Sequence, residues 1–318
     1  MISFKSIVSF LFTLVLTSLF LLGCSDKRIE GGFLDIGETE IDANQSAVDP
    51  NEFPNLNHGD DFELNEVCPE IKARNYSNAI STALDLGGVL SIGESHGNRN
   101  SIEFISQLMK KVVNDEGYFV FLLEAPSESQ FLFDDVFDNK ISVDQALENL
   151  PSSIFWSQVS DGRQSCAILR LLIEINASDY REKIQFSTLT IEASDFSAGR
   201  LKGHVMGDKA LEAIDNLPKD ISPTIVLLTG RNYQRFDPRK DLDRQSSTCG
   251  TLKSSSSKKI TCIATIGKGL PWEETPCKVG EAFDLMTVEA LGDDFFTPFD
   301  MVLTSNSRCA DYTPKLFE

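Results

Sequence analysis

The chain has 318 residues and carries 48 acidic against 29 basic side chains, a formal net charge of −19 at pH 7. A surface that negative repels nucleic acid and anionic lipid, so no nucleic-acid partner is expected. With 41 % apolar residues the chain is long and apolar enough to bury a large core.

The first expected element is a targeting segment. Lys5 precedes an apolar run from Ile7 to Leu22, which ends in "LLGC" at Cys24. A basic residue, an apolar stretch and a small-residue boundary describe a secretory signal. The run also approaches membrane-spanning length, so a transmembrane helix is the alternative. The Leu-Leu-Gly-Cys ending resembles a bacterial lipobox. That resemblance implies a lipoprotein signal peptide over 1–23 and lipidation of Cys24. Lipid chains would tether the protein to a membrane without spanning it. The expected location is exported and lipid-anchored to the bacterial cell envelope, at the outer membrane.

Residues 24–67 are acidic, rich in Gly, Asn and Asp, and without periodicity, which predicts a flexible tether. His58, in "NLNHGDD", reads as a solvated tether residue. Residues 68–318 form the expected folded domain. Cys68, Cys166, Cys249, Cys262, Cys277 and Cys309 follow Cys24, and an even number in an exported chain predicts disulfides. Spacing alone does not choose their pairing, and no cysteine cluster has zinc-finger spacing.

Within the domain, "GGVLSIG" (Gly87 to Gly93) predicts a buried strand. Ile102, Ile105, Met109 and Val112 then recur at helical spacing. "YFVFLLE" (Tyr118 to Glu124) is a second apolar run, so strand, helix and strand make a βαβ unit. "SVDQALENLP" has a Ser142-x-x-Gln145 capping box, and "RQSCAILRLLIEINAS" is an amphipathic helix. "KIQFSTLTIEASD" predicts a strand ending near Asp195, "SAGRLKGHVMGDKALEAI" a helix, and "PTIVLLTG" (Pro223 to Gly230) a strand. "SSTCGTLKSSSSKKITCIATIG" reads as a hairpin with a serine-rich turn between Cys249 and Cys262, a spacing compatible with a disulfide across it among the pairings left open. "PFDMVLTS" predicts the last strand. The expected fold is α/β, a central mostly parallel sheet with helices on both faces, plus a C-terminal hairpin region.

Several expected strands end in polar residues: Glu94 and His96, Glu124, Asp195, and Arg231, Asn232 and Tyr233. The carboxyl ends of parallel strands form the binding crevice of open α/β sheets. These segments are therefore expected to converge on one rim. A Glu-x-His pair there has three readings. His96 is a general base for water, oriented by Glu94; or the pair binds a metal ion or haem iron; or it is a polar pair capping the next helix. Asp161 and Arg163, in an Asp-Gly-Arg turn, have their own structural reading as a helix cap with an internal ion pair. His204 reads as a surface or half-buried structural histidine, and Trp156 and Trp272 as core or loop anchors. Ser95 lacks a nucleophile elbow, and no phosphate-binding glycine loop occurs.

Several of these stretches resemble one superfamily. "GESHGNRNSIEF", "FLLEAP", "FWSQVSDGRQSCAILRLL", "GRLKGHVMGDKALEAI", "IVLLTGRNYQRF" and "GLPWEETPC" fall in the order found in an exported branch of the erythromycin esterases, ChaN-type haem-binding lipoproteins and Tiki-type proteases. The resemblance spans about residues 84 to 305. It implies catalytic roles for Glu94, His96 and Glu124, and a place in the substrate site for Asp161 and Arg163; Arg231 and Tyr233, where the chain departs from the family, read as substrate-binding from their own charge and hydrogen-bonding groups. It implies a hydrolase acting on a small ester or amide. The alternatives are a binder of haem or a divalent metal ion, with His96 and Tyr233 as ligands, or a catalytically degenerate scaffold. Where the branch carries a second histidine, this chain reads Gly230-Arg231-Asn232-Tyr233-Gln234.

Overall fold

A computed structural model describes residues 74–95, 97–125, 181–189, 202–235, 247–266, 276–292 and 298–311, with isolated positions between them. The expected signal segment, Cys24, the expected tether with His58, Cys68, His96, the 142–170 stretch with Trp156, Asp161, Arg163 and Cys166, Asp195 and Trp272 lie outside the described residues.

The two long apolar runs form the expected strands, β1 (Val89–Glu94) and β2 (Phe119–Leu123). Between them runs α2 (Arg99–Asn114), and α1 (Ser77–Leu86) precedes β1. Ile102, Ile105, Met109 and Val112 are all buried on α2. Its N-terminus is capped by Asn98, whose side-chain oxygen accepts from the Asn100 N–H at 2.9 Å. β3 (Ile184–Thr188) ends before Asp195. α3 (Lys202–Asp215), β4 (Thr224–Gly230) and the single turn α4 (Arg231–Gln234) follow.

The next segment departs from expectation. "TCGTLKSS" is a helix, α5 (Thr248–Ser255), and β5 (Ile260–Thr265) pairs parallel to β1. The stretch is a helix and a strand, not a hairpin. The cause is local: Ser247 accepts from the Gly250 N–H, which starts the helix, and the Cys249–Cys262 disulfide forms between α5 and β5. The antiparallel pair lies further on, between β6 (Phe283–Thr287) and β7 (Met301–Ser305), with the short α6 (Val288–Leu291) after β6.

Among the described residues the sheet has seven strands in the order β3-β2-β4-β1-β5-β7-β6, of which only β6 runs antiparallel. β4 inserts between β1 and β2, although it follows both in the chain. Strand alternation sorts the core into two layers. Leu90, Ile92, Phe119, Phe121 and Leu123 face Ile105 and Leu108 of α2 on one side. Val89, Val120, Leu122, Ile225 and Leu227 face Met206, Ala210 and Leu252 of α3 and α5 on the other. Helices thus cover both faces, as near-continuous apolar strands require. Gly88 and Gly207 permit close approach. Gly88 has φ 71, and a Cβ there would stand 2.3 Å from the Lys259 carbonyl oxygen. On α3, a Cβ at Gly207 would meet the Thr251 side chain of α5 at 2.5 Å.

Candidate functional site

Parallel strands expose their carboxyl ends at one edge of the sheet, and two buried glutamates stand there. Glu94 is the last residue of β1, and Glu124 directly follows β2. Both are almost wholly buried, at 3 % and 2 % exposure. The strand between them is β4, whose last residue, Gly230, is in register with Glu94. Glu124 reaches the same glycine: its Oε2 accepts the Gly230 N–H at 2.7 Å. The two carboxylates therefore flank the tip of β4, one from each neighbouring strand.

They are held from opposite faces of the sheet. Glu94 Oε2 accepts from the Ser101 hydroxyl, in the first turn of α2, at 2.7 Å. Ser101 Oγ also lies 2.9 Å from the Asn98 carbonyl oxygen, so the contact belongs to the helix start. Glu124 Oε1 pairs with Lys202 Nζ of α3 at 2.7 Å. A buried carboxylate needs such compensation, since burial alone disfavours its charge. The Lys202 ammonium lies 4.7 Å from the centre of the Tyr233 ring, a cation–π contact. One carboxylate thus fixes a lysine above the tyrosine that follows β4.

The turn after β4 is set by β1. A Cβ at Gly93 would stand 3.0 Å from Arg231 Cα and Gln234 Cβ, so α4 packs directly on that glycine. Gln234, fully buried, accepts from the Ser91 hydroxyl and donates to Thr229 Oγ1, both at 2.7 Å. These bonds lock α4 and so place half-buried Arg231 and Tyr233 at the rim.

Of the sequence-derived site residues, the structure brings Glu94, Glu124, Arg231 and Tyr233 to the edge around β4. His96, Asp161 and Arg163 lie outside the described residues. His204 sits on α3, its Nδ1 3.1 Å from Thr251 Oγ1 and its Nε2 3.6 Å from Asp208. Sequence reasoning missed Lys202, Ser101 and Gln234. Lys202 carried one faint signal, a lysine at the start of a helix, where the dipole favours acids. Among the described residues no group of three or more His, Cys, Asp or Glu side chains could hold a metal ion.

No family model matches the chain, and no curated protein matches it. Two solved structures are similar to it. One is ChaN of Campylobacter jejuni with cofacially bound heme, 15 % identical, with a TM-score of 0.42 over 71 % of this chain and 91 % of that one. The other is the type III effector HopBA1, 14 % identical, with a TM-score of 0.39 over 74 % of this chain and 96 % of that one.

Proposed function

We propose that the chain is a lipid-anchored cell-envelope protein whose domain hydrolyses a small ester or amide at the tip of β4. The observation that carries this reading is the pair of buried carboxylates on either side of Gly230. His96, two residues beyond Glu94, takes a proton from water, and Glu94 orients the imidazole. The hydroxide adds to the carbonyl carbon, and the imidazolium returns the proton to the departing alcohol or amine. Glu124 acts by fixing Lys202, because its two oxygens are engaged by Gly230 and Lys202. Lys202 and Arg231 supply the positive charge that a carbonyl oxygen meets as it turns anionic.

A second reading rests on Tyr233. A phenol, not an imidazole, stands after β4, half-buried under Lys202. This favours a haem-binding site with His96 and Tyr233 as iron donors.

One experiment separates the readings. The full chain in detergent is assayed with nitrophenyl esters and anilides, and titrated in parallel with haemin. Hydrolysis reduced about 100-fold or more in Glu94→Gln and His96→Ala, with folding unchanged, supports catalysis. A Soret band lost in His96→Ala and Tyr233→Phe, with no hydrolysis, supports binding. Neither signal leaves a scaffold and overturns the proposal.

A further inference from the structure

The first turn of α2 holds Glu94 through Ser101, and that turn is itself fastened from outside. The Arg99 N–H donates to the Asp311 carbonyl oxygen at 2.9 Å. Asn100 Nδ2 donates to the Cys309 carbonyl oxygen at 3.2 Å. The Asp311 carboxylate pairs with buried Arg74, whose Nη1 reaches Asn100 Oδ1 at 2.9 Å and Glu103 Oε2 at 3.1 Å. Residues 309–311 are fixed in turn by Cys277. It is bridged to Cys309, and its N–H donates to Asp311 Oδ1 at 2.9 Å.

We propose that residues 309–311 are a strap, locked by the Cys277–Cys309 disulfide, that positions Glu94 through the first turn of α2, so that a thiol reductant loosens the site. Asp311 is then a positioning residue, acting through Arg99 and Ser101. The two bridges differ in access. Cys249 and Cys262 are fully buried, whereas Cys277 is half-exposed between the exposed residues Pro276 and Lys278. An external dithiol therefore attacks at Cys277 first. Its thiolate bonds to Cys277 Sγ, and Cys309 Sγ leaves with the electron pair and takes a proton. The second thiol then closes on the first, releasing Cys277 as a thiol. The dithiol ends as a disulfide and supplies both electrons. Regulation of the site rests on the reading above, but the loosening of α2 does not.

The test is hydrogen exchange on the full chain in detergent, before and after mild dithiothreitol, with thiol trapping to score each bridge. The expected result is trapping of Cys277 and Cys309, retention of the Cys249–Cys262 bridge, and exchange at the Arg99 amide faster by about tenfold or more while β2 and β4 stay protected. If hydrolysis is present, it falls in step through kcat more than KM. If hydrolysis is absent altogether, the activity reading fails and exchange alone decides the strap. Asp311→Asn, which keeps the disulfide, should speed exchange in the same turn. Reduction of Cys277–Cys309 without change at Arg99, faster exchange spread evenly over β2 and β4, or no effect of Asp311→Asn overturns the proposal.

Discussion

Glu124 and Gly230, 106 positions apart, are joined by a hydrogen bond from the Gly230 N–H to the Glu124 carboxylate at 2.7 Å. The bond fastens the ends of β2 and β4 beyond their ladder. The same carboxylate carries Lys202, so a backbone contact and an ion pair share one buried charge.

Removing the lysine isolates that charge. Lys202→Met should lower stability by about 2 kcal/mol, below the full range for a buried pair because the lysine side chain is 23 % exposed. Glu124→Gln added to Lys202→Met should recover part of the loss. Urea unfolding of the parent and the two variants measures this. A single variant as stable as the parent would show that the pair contributes nothing.

Gln234 tests the turn beneath Arg231 and Tyr233. Gln234→Leu strands the buried Ser91 hydroxyl and leaves Thr229 only its long bond to the Gly230 carbonyl oxygen, at a cost of about 2 kcal/mol. Ser91→Ala in the same background should offset part of that, since one stranded group is removed. Thermal or urea denaturation reads the difference, and additive losses would contradict the shared bond.

Glu103 gives a pH signature away from the rim. It accepts from Arg74, Arg99 and the Tyr76 hydroxyl. Burial pushes its carboxyl above the ordinary value, against the pull of Arg74 and then Arg99. Burial also raises Tyr76, with the Glu103 charge adding to it. Ionising Glu103 is thus harder in the folded chain than in the unfolded one. Its stabilising contribution is full below the unfolded value and is lost as pH rises through the raised folded value. Relative to the parent, Glu103→Gln should therefore gain stability as pH increases across that window. A relative loss over the same window would contradict the direction.

Much of the sheet was legible because its strands are central. β1, β2 and most of β4 are buried on both faces, so they read as continuous apolar runs. Their shared exit edge followed from parallel pairing, which is why Glu94, Glu124, Arg231 and Tyr233 could be grouped. β6 was not legible. It is an edge strand in which Phe283 and Leu285 are buried between half-exposed neighbours, and its pairing comes from β7. The helix α5 was misread because Thr248, Cys249, Gly250, Thr251 and Leu252 are consecutively buried and show no helical stripe. Among the pairings that six cysteines leave open, the Cys249–Cys262 bridge forms because a helix and a strand joined by a short turn bring the two cysteines together as a hairpin would. Lys202 stayed hidden because its partner is distant in sequence and only the fold brings them together.

The proposed function requires the carboxylates flanking β4 to serve one site. A double-mutant cycle on kcat/KM, with Glu94→Gln, Glu124→Gln and the pair in the full chain, tests it most directly. The double variant should lose clearly less than the product of the two single losses, a coupling of about 0.5 kcal/mol or more. A double loss equal to that product, or a parent chain that hydrolyses neither esters nor amides, would contradict it.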